Sequence, residues 1–243
     1  MNQLSHSLLL RGIYIDWSRI DQGSYLRGIA AIQQVEELSF DKAVTFFVGE
    51  NGSGKFTLLE AIAVAYGFNP EGGTRNYSFS TYDSHSVLHQ AVRLSRGPRR
   101  AAGGYFLRAE SFYNVATKED EYSRGPRGVP QHFHEKSHGE SFLALAQNSF
   151  RANGFYLLDE PEAALSPQRQ LTLLMEIHRL ARQGAQFIIA THSPILLGLP
   201  DARILSFDEG RIHPCSYEET DSYQVTAMFV NHREEMLRRL LEE

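Results

Sequence analysis

The stretch Ala43-Val44-Thr45-Phe46-Phe47-Val48-Gly49-Glu50-Asn51-Gly52-Ser53-Gly54-Lys55-Phe56-Thr57-Leu58-Leu59 decides how this chain reads. The apolar run Ala43 to Val48 predicts a strand. A glycine-rich turn follows, and Leu58, Leu59, Ile62 and Tyr66 then recur at helical spacing up to Gly67, a suitable stop. Strand, glycine loop and helix in that order form the phosphate-binding loop of a nucleoside triphosphatase. The glycines let successive backbone N–H groups curl around an anion, and the helix start adds partial positive charge. Gly49, Glu50, Asn51, Gly52, Ser53, Gly54 and Lys55 are therefore candidate ligands of a triphosphate, with Lys55 placing a full charge near its terminal phosphates. Phe56 and Thr57 open the helix. The hydroxyl expected directly after the lysine, where it would hold Mg²⁺, is replaced by Phe56. A phenyl ring cannot ligate a hard cation that takes oxygen ligands. The expectation is ATP binding with turnover weakened or lost.

Working outward, Leu8 to Asp16 predicts a first strand and Val87 to Leu94 another, followed by a strand over Gly104 to Arg108. Residues 117–136, with Gly125-Pro126 and Val129-Pro130, predict a lid or loop. A helix is expected from about Ser137 to Phe150. Phe155-Tyr156-Leu157-Leu158 and Phe187-Ile188-Ile189-Ala190 are wholly apolar, as strands buried on both faces must be. Between them, Ser166-Pro167 caps a helix with Leu171, Leu174, Ile177 and Ala181 on its apolar side, and Gly184 stops it. Phe207 to Ile212 predicts a hairpin, and Arg233 to Leu241 an amphipathic helix whose apolar side would dock on the chain's own core. Buried strands alternating with helices make an α/β protein with a parallel sheet and the ligand at the strands' C-terminal ends.

The bulk numbers bound the partners. At 243 residues with 42% hydrophobic residues the chain suits a single domain, 1–243, with a lid region at about 111–150. A formal net charge of -5 gives no global pull toward nucleic acid or an anionic membrane. The lone cysteine, Cys215, reads as a small apolar strand residue. No stretch reaches the roughly 18 apolar residues of a membrane span, and a soluble cytoplasmic protein is expected.

Downstream residues strengthen the loop. Asp159 and Glu160 follow one buried strand, where an aspartate meets a nucleotide's Mg²⁺ and the next carboxylate can take a proton from the attacking water. His192 follows the next buried strand and would face the same crevice. Ser137-His138-Gly139-Glu140 is a capping box whose orphan N–H groups also suit an anion.

These four segments, together with Pro161-Glu162-Ala163-Ala164-Leu165-Ser166 and Ser193-Pro194, resemble the motifs of ABC-type ATPases. The likeness is nearest to the soluble AAA-family branch related to SMC and RecF-like ATPases, and it covers nearly the whole chain. It implies a P-loop NTPase fold: a mostly parallel sheet flanked by helices, a small antiparallel β subdomain and a short helical lid. It implies ATP and Mg²⁺ as cofactors, Lys55 on the β- and γ-phosphates, Thr57 near the α-phosphate, and Asp159 on the metal. Glu160 becomes the general base and His192 the switch histidine. Ser137, Gly139 and Glu140 would reach ATP held by a second subunit, because family members close head-to-tail over two nucleotides.

Departures accompany the likeness: His138 replaces a glycine, Ser166 replaces a frequent aspartate, and Glu110 stands where a glutamine is usual. Two other readings stay open, an ATP-gated regulatory module with a protein partner and the cassette of a transporter. The short span from Glu110 to Ser137 weighs against the second. His132, His134 and His138 lack the closed ligand set of a metal cluster. Arg93, Arg96, Arg99 and Arg100 read as a solvated loop in preference to one that tracks a phosphate backbone.

Overall fold

The computed structural model describes residues 8–74, 86–108, 143–144, 146–147 and 149–241. Its strands are β1 (Leu10–Ile15), β2 (Glu37–Ser39), β3 (Val44–Val48), β4 (Val92–Arg96), β5 (Gly104–Leu107), β6 (Phe155–Asp159), β7 (Gln186–Ala190), β8 (Arg203–Ser206) and β9 (His213–Cys215). Its helices are α1 (Ala30–Gln33), α2 (Lys55–Tyr66), α3 (Pro167–Arg182), α4 (Pro194–Leu197), α5 (Asp221–Asn231) and α6 (Arg233–Leu241).

The central sheet runs β5-β6-β7-β3-β8-β9, and a separate sheet runs β2-β1-β4. All neighbours in the central sheet are parallel except β9, which returns antiparallel to β8. Both pairings of the smaller sheet are antiparallel. This is the expected α/β class with its small antiparallel subdomain.

Side-chain alternation explains the wholly apolar strands. Phe47, Phe155, Leu157, Ile188 and Ala190 enter one buried cluster with α2 and the small sheet. Their neighbours Phe46, Val48, Tyr156, Leu158, Phe187 and Ile189 enter a second cluster with α3. Successive strand side chains point to opposite faces, so a sheet covered on both sides needs an apolar residue at every position.

The two sheets are joined by a buried polar side chain. Gln186, 1% exposed, accepts from Leu9 N and Leu10 N at 2.9 Å each. Its amide nitrogen donates to Leu10 O at 2.8 Å. These bonds satisfy buried backbone groups of Leu9 and Leu10 at the start of β1.

Several expectations shift. α2 ends as predicted, with Gly67 left-handed at φ 106° taking the Ala63 and Val64 carbonyls. The strand expected over Val87 to Leu94 begins late: Ser86 Oγ accepts from Leu88 N and holds Val87–Gln90 in a 3₁₀ turn, so β4 starts at Val92. In α3, capped by Ser166 with Pro167 in its first turn, the buried stripe is Leu173, Ile177 and Leu180, while Leu171 is exposed. The last helix forms but does not dock as expected. No residue of α5 or α6 is buried, and Leu240 and Leu241 are 68% and 75% exposed.

Candidate functional site

The C-terminal ends of β3, β6, β7 and β8 carry the groups of interest. From β3 the chain enters the glycine loop, where Gly49, Gly52 and Gly54 have φ of 136°, 84° and 101°. Gly54 is required twice over: its backbone is left-handed, and a Cβ there would sit 2.6 Å from Ile32 Cδ1 and 2.7 Å from Ile29 Cγ2. Lys55, 6% exposed, folds back so that Nζ donates to Gly49 O at 2.6 Å and Glu50 O at 2.8 Å. Burial lowers its pKa, opposed by the nearby carboxylates of Glu160, Asp208 and Asp159. Ser53 Oγ, in the same loop, is buried without a hydrogen-bond partner.

Asp208, after β8, was not singled out from the sequence. Its Oδ1 accepts from Glu50 N at 3.0 Å and its Oδ2 from Ser206 Oγ at 2.9 Å. It thereby pins the start of the loop to the neighbouring strand. The one available signal was a carboxylate following a short apolar strand, and turn chemistry masked it. A cleft of about 1010 Å³ opens beside the loop, lined by Glu50, Asn51, His192, Asp208, His213 and Val225 among others.

Asp159 ends β6, and Glu160 follows in the left-handed region at φ 43°. Its N–H donates to Ala190 O at 2.9 Å, which fixes it against β7. Glu160 Oε1 lies 3.8 Å from His192 Nε2, and both side chains are 40% exposed. Glu162 Oε1 accepts from His192 N at 2.7 Å. The structure thus brings Asp159, Glu160 and His192 to one end of adjacent strands beside Lys55. It adds Glu162, a positioning carboxylate that the sequence showed only as part of a longer motif.

Phe56 lies partly buried against the cluster that holds α2. The guanidinium carbon of Arg108 stands 4.7 Å from the centre of its ring. Arg108 Nη1 is 3.4 Å from Glu60 Oε2 and donates to Pro70 O at 3.0 Å, while Glu60 Oε1 accepts from Ser86 N at 2.9 Å. The ring is thus integrated into a contact between α2 and the end of β5, which no sequence pattern announced.

The implied Mg²⁺ calls for oxygen donors. Asp159 supplies one carboxylate, but the position after Lys55 supplies carbon alone, so the residues do not fit the coordination that the likeness implies. Among the described residues no cluster of three or more His, Cys, Asp or Glu is arranged to hold a metal ion. Thr57, half-buried, is the next hydroxyl on α2. Ser137, Gly139, Glu140, Glu110 and the predicted loop over residues 117–136 lie outside the described residues. Cys215 sits half-buried on β9, its thiol pKa pushed up first by burial and then by Glu219 and Asp208. Among the described residues no helix is long and apolar enough to cross a membrane.

Comparison with known proteins matches a family model described as "AAA domain, putative AbiEii toxin, Type IV TA system" over residues 141–198. A second, described as "AAA domain", matches residues 25–122. The chain is 27% identical to the hemin import ATP-binding protein of Pseudomonas aeruginosa, over 80% of this chain and 84% of the relative. It is 30% identical to the thiamine import ATP-binding protein of Cereibacter sphaeroides, over 60% of this chain and 69% of the relative. Among solved structures, the SMC head domain from Thermotoga maritima aligns with 17% identity and a TM-score of 0.45, over 86% of this chain and 100% of that one.

Proposed function

We propose, from the premise that this chain belongs to the ABC-type P-loop ATPases, that it binds ATP on Gly49–Lys55 and pairs with a second copy when nucleotide is present. The observation that carries the reading is Lys55: a buried lysine whose ammonium is held by two carbonyls of its own loop, beside glycines of positive φ. A phosphate chain would replace those carbonyls as the partner of Nζ and take the loop's N–H groups at the start of α2. Glu160 is the candidate base toward a water on the γ-phosphate. His192, anchored through its backbone by Glu162, is the candidate sensor of that phosphate. Ser137, Gly139 and Glu140 would come from the partner copy.

Phe56 removes an oxygen ligand, so turnover is expected to be slow, with ATP acting chiefly to gate association in the cytoplasm. A second reading, the nucleotide-binding component of an importer, is favoured by the names of the relatives, which are import ATP-binding proteins. Calorimetric titration of ATP into the chain and into its Lys55→Ala variant tests the primary reading. Micromolar to millimolar affinity that vanishes in the variant is expected, and no heat from either protein would refute it. Co-purification with a membrane subunit would favour the importer.

A further inference from the structure

α6 runs for 9 residues, and none of them is buried. Successive residues of a helix turn by about 100°, so Met236, Leu237, Leu240 and Leu241 share one arc of about 140°. Met236 and Leu237 are half-buried, while Leu240 and Leu241 stand in solvent. On α5, which packs beside α6, Val225, Met228 and Phe229 follow helical spacing and are exposed as well. Single exposed apolar side chains need no explanation, but a group of them calls for a partner.

The charges of α6 are ordered. Glu234 and Glu235 lie in its first turn, Arg238 and Arg239 in its last. That order suits the helix's own dipole and by itself implies nothing more. Pairing separates the four. Glu235 Oε1 and Arg239 Nη2 meet at 2.5 Å across one turn, on the side of the helix turned from the apolar arc. Glu234 and Arg238 have the same spacing and flank that arc on one side. Among the described residues, no ion pair or hydrogen bond takes up either side chain.

We propose that α6 pairs antiparallel with α6 of a second copy of this chain. In a two-fold antiparallel helix pair each flank lies against the same flank of the copy, running the other way. With the dyad near Met236 and Leu237, Glu234 faces Arg238 of the second copy, and Arg238 faces its Glu234. Two identical ion pairs then border an apolar seam, and both unanswered charges gain a partner. An anionic membrane would favour basic residues on both borders of the arc, and Glu234 stands against that occupant. A helix of 9 residues is only about 13.5 Å long, whereas stable interfaces bury about 1,200 Å² or more. The contact is therefore weak, with half-association at about 0.1–0.5 mM. At the micromolar loading of size-exclusion chromatography it does not register.

The inference goes beyond the ATP reading and does not depend on it. Sedimentation equilibrium of the full chain without nucleotide, up to about 1 mM, should show reversible dimers that weaken as salt screens the ion pairs. Glu234→Arg and Arg238→Glu, each alone, should associate at least about fivefold more weakly, because like charges then face each other. An equimolar mixture of the two should associate at least as tightly as the parent, since each variant supplies the charge that the other lacks. That rescue cannot come from a dipole within one helix. Leu240→Gln, an exposed change that keeps a good helix former, should weaken association at least about tenfold and reads the apolar seam independently of the charges. The proposal is overturned if the parent stays monomeric throughout, which would leave this face to a different protein or a membrane. It is also overturned if the mixture is no tighter than either variant alone, or if Leu240→Gln associates as the parent does. Association that appears only with ATP would belong to the nucleotide-driven pair and would overturn it too.

Discussion

Replacing Phe56 by serine should make the protein less stable and a better ATPase at the same time. The ring is only partly buried, so the apolar area lost is worth about 1 kcal/mol, below the 1.5–3 of a fully buried phenyl group. Arg108 sits 4.7 Å above the ring, and losing that cation–π contact removes roughly a further 0.5–1 kcal/mol. Arg108 keeps Glu60 at 3.4 Å and the Pro70 carbonyl at 3.0 Å, so no buried charge is stranded and the loss should stop near 2 kcal/mol. Urea unfolding without nucleotide measures it. Against this stands the gained hydroxyl at the position where the likeness places a Mg²⁺ ligand. Phosphate release with Mg²⁺ and ATP should rise by at least about tenfold over the parent. Equal release rates would refute the assignment of Phe56 as the cause of slow turnover. A stability loss above about 4 kcal/mol would refute the packing argument, since that is the cost of emptying a closed core site.

Gln186→Leu should strand two buried N–H groups and one carbonyl of Leu9 and Leu10, at about 1–3 kcal/mol each. A fall in unfolding free energy of about 3 kcal/mol or more is expected, and less than about 1 would mean that water reaches those groups. On the Phe56→Ser background, Glu160→Gln should trap a dimer that elutes early from size-exclusion chromatography only with Mg²⁺ and ATP. A dimer that ignores nucleotide would break the link between binding and pairing. Burial depresses the Lys55 pKa, so its ammonium is lost at lower pH than an ordinary lysine's. ATP affinity should therefore fall as pH rises through that depressed value, whereas Lys55→Arg should show no such alkaline decline. A parent affinity unchanged from neutral to alkaline pH would show that the ammonium is not what holds the phosphates.

The parts of this fold legible in the sequence were those set by nearest-neighbour physics. Phe155 to Leu158 and Phe187 to Ala190 announced doubly covered strands because every side chain had to be apolar. Gly67 and Ser166-Pro167 announced helix ends because backbone geometry there tolerates few alternatives. The juxtaposition of Glu160 and His192 followed from their places after neighbouring parallel strands, and the 3.8 Å approach agrees with that placement. What stayed hidden depends on partners far along the chain. Asp208 reaches the loop from 158 positions away and Gln186 reaches β1 from 176 or 177. Arg108 meets Phe56 only because β5 ends over α2. Each of these is a polar or cationic side chain whose meaning is its partner, and composition or periodicity cannot supply partners.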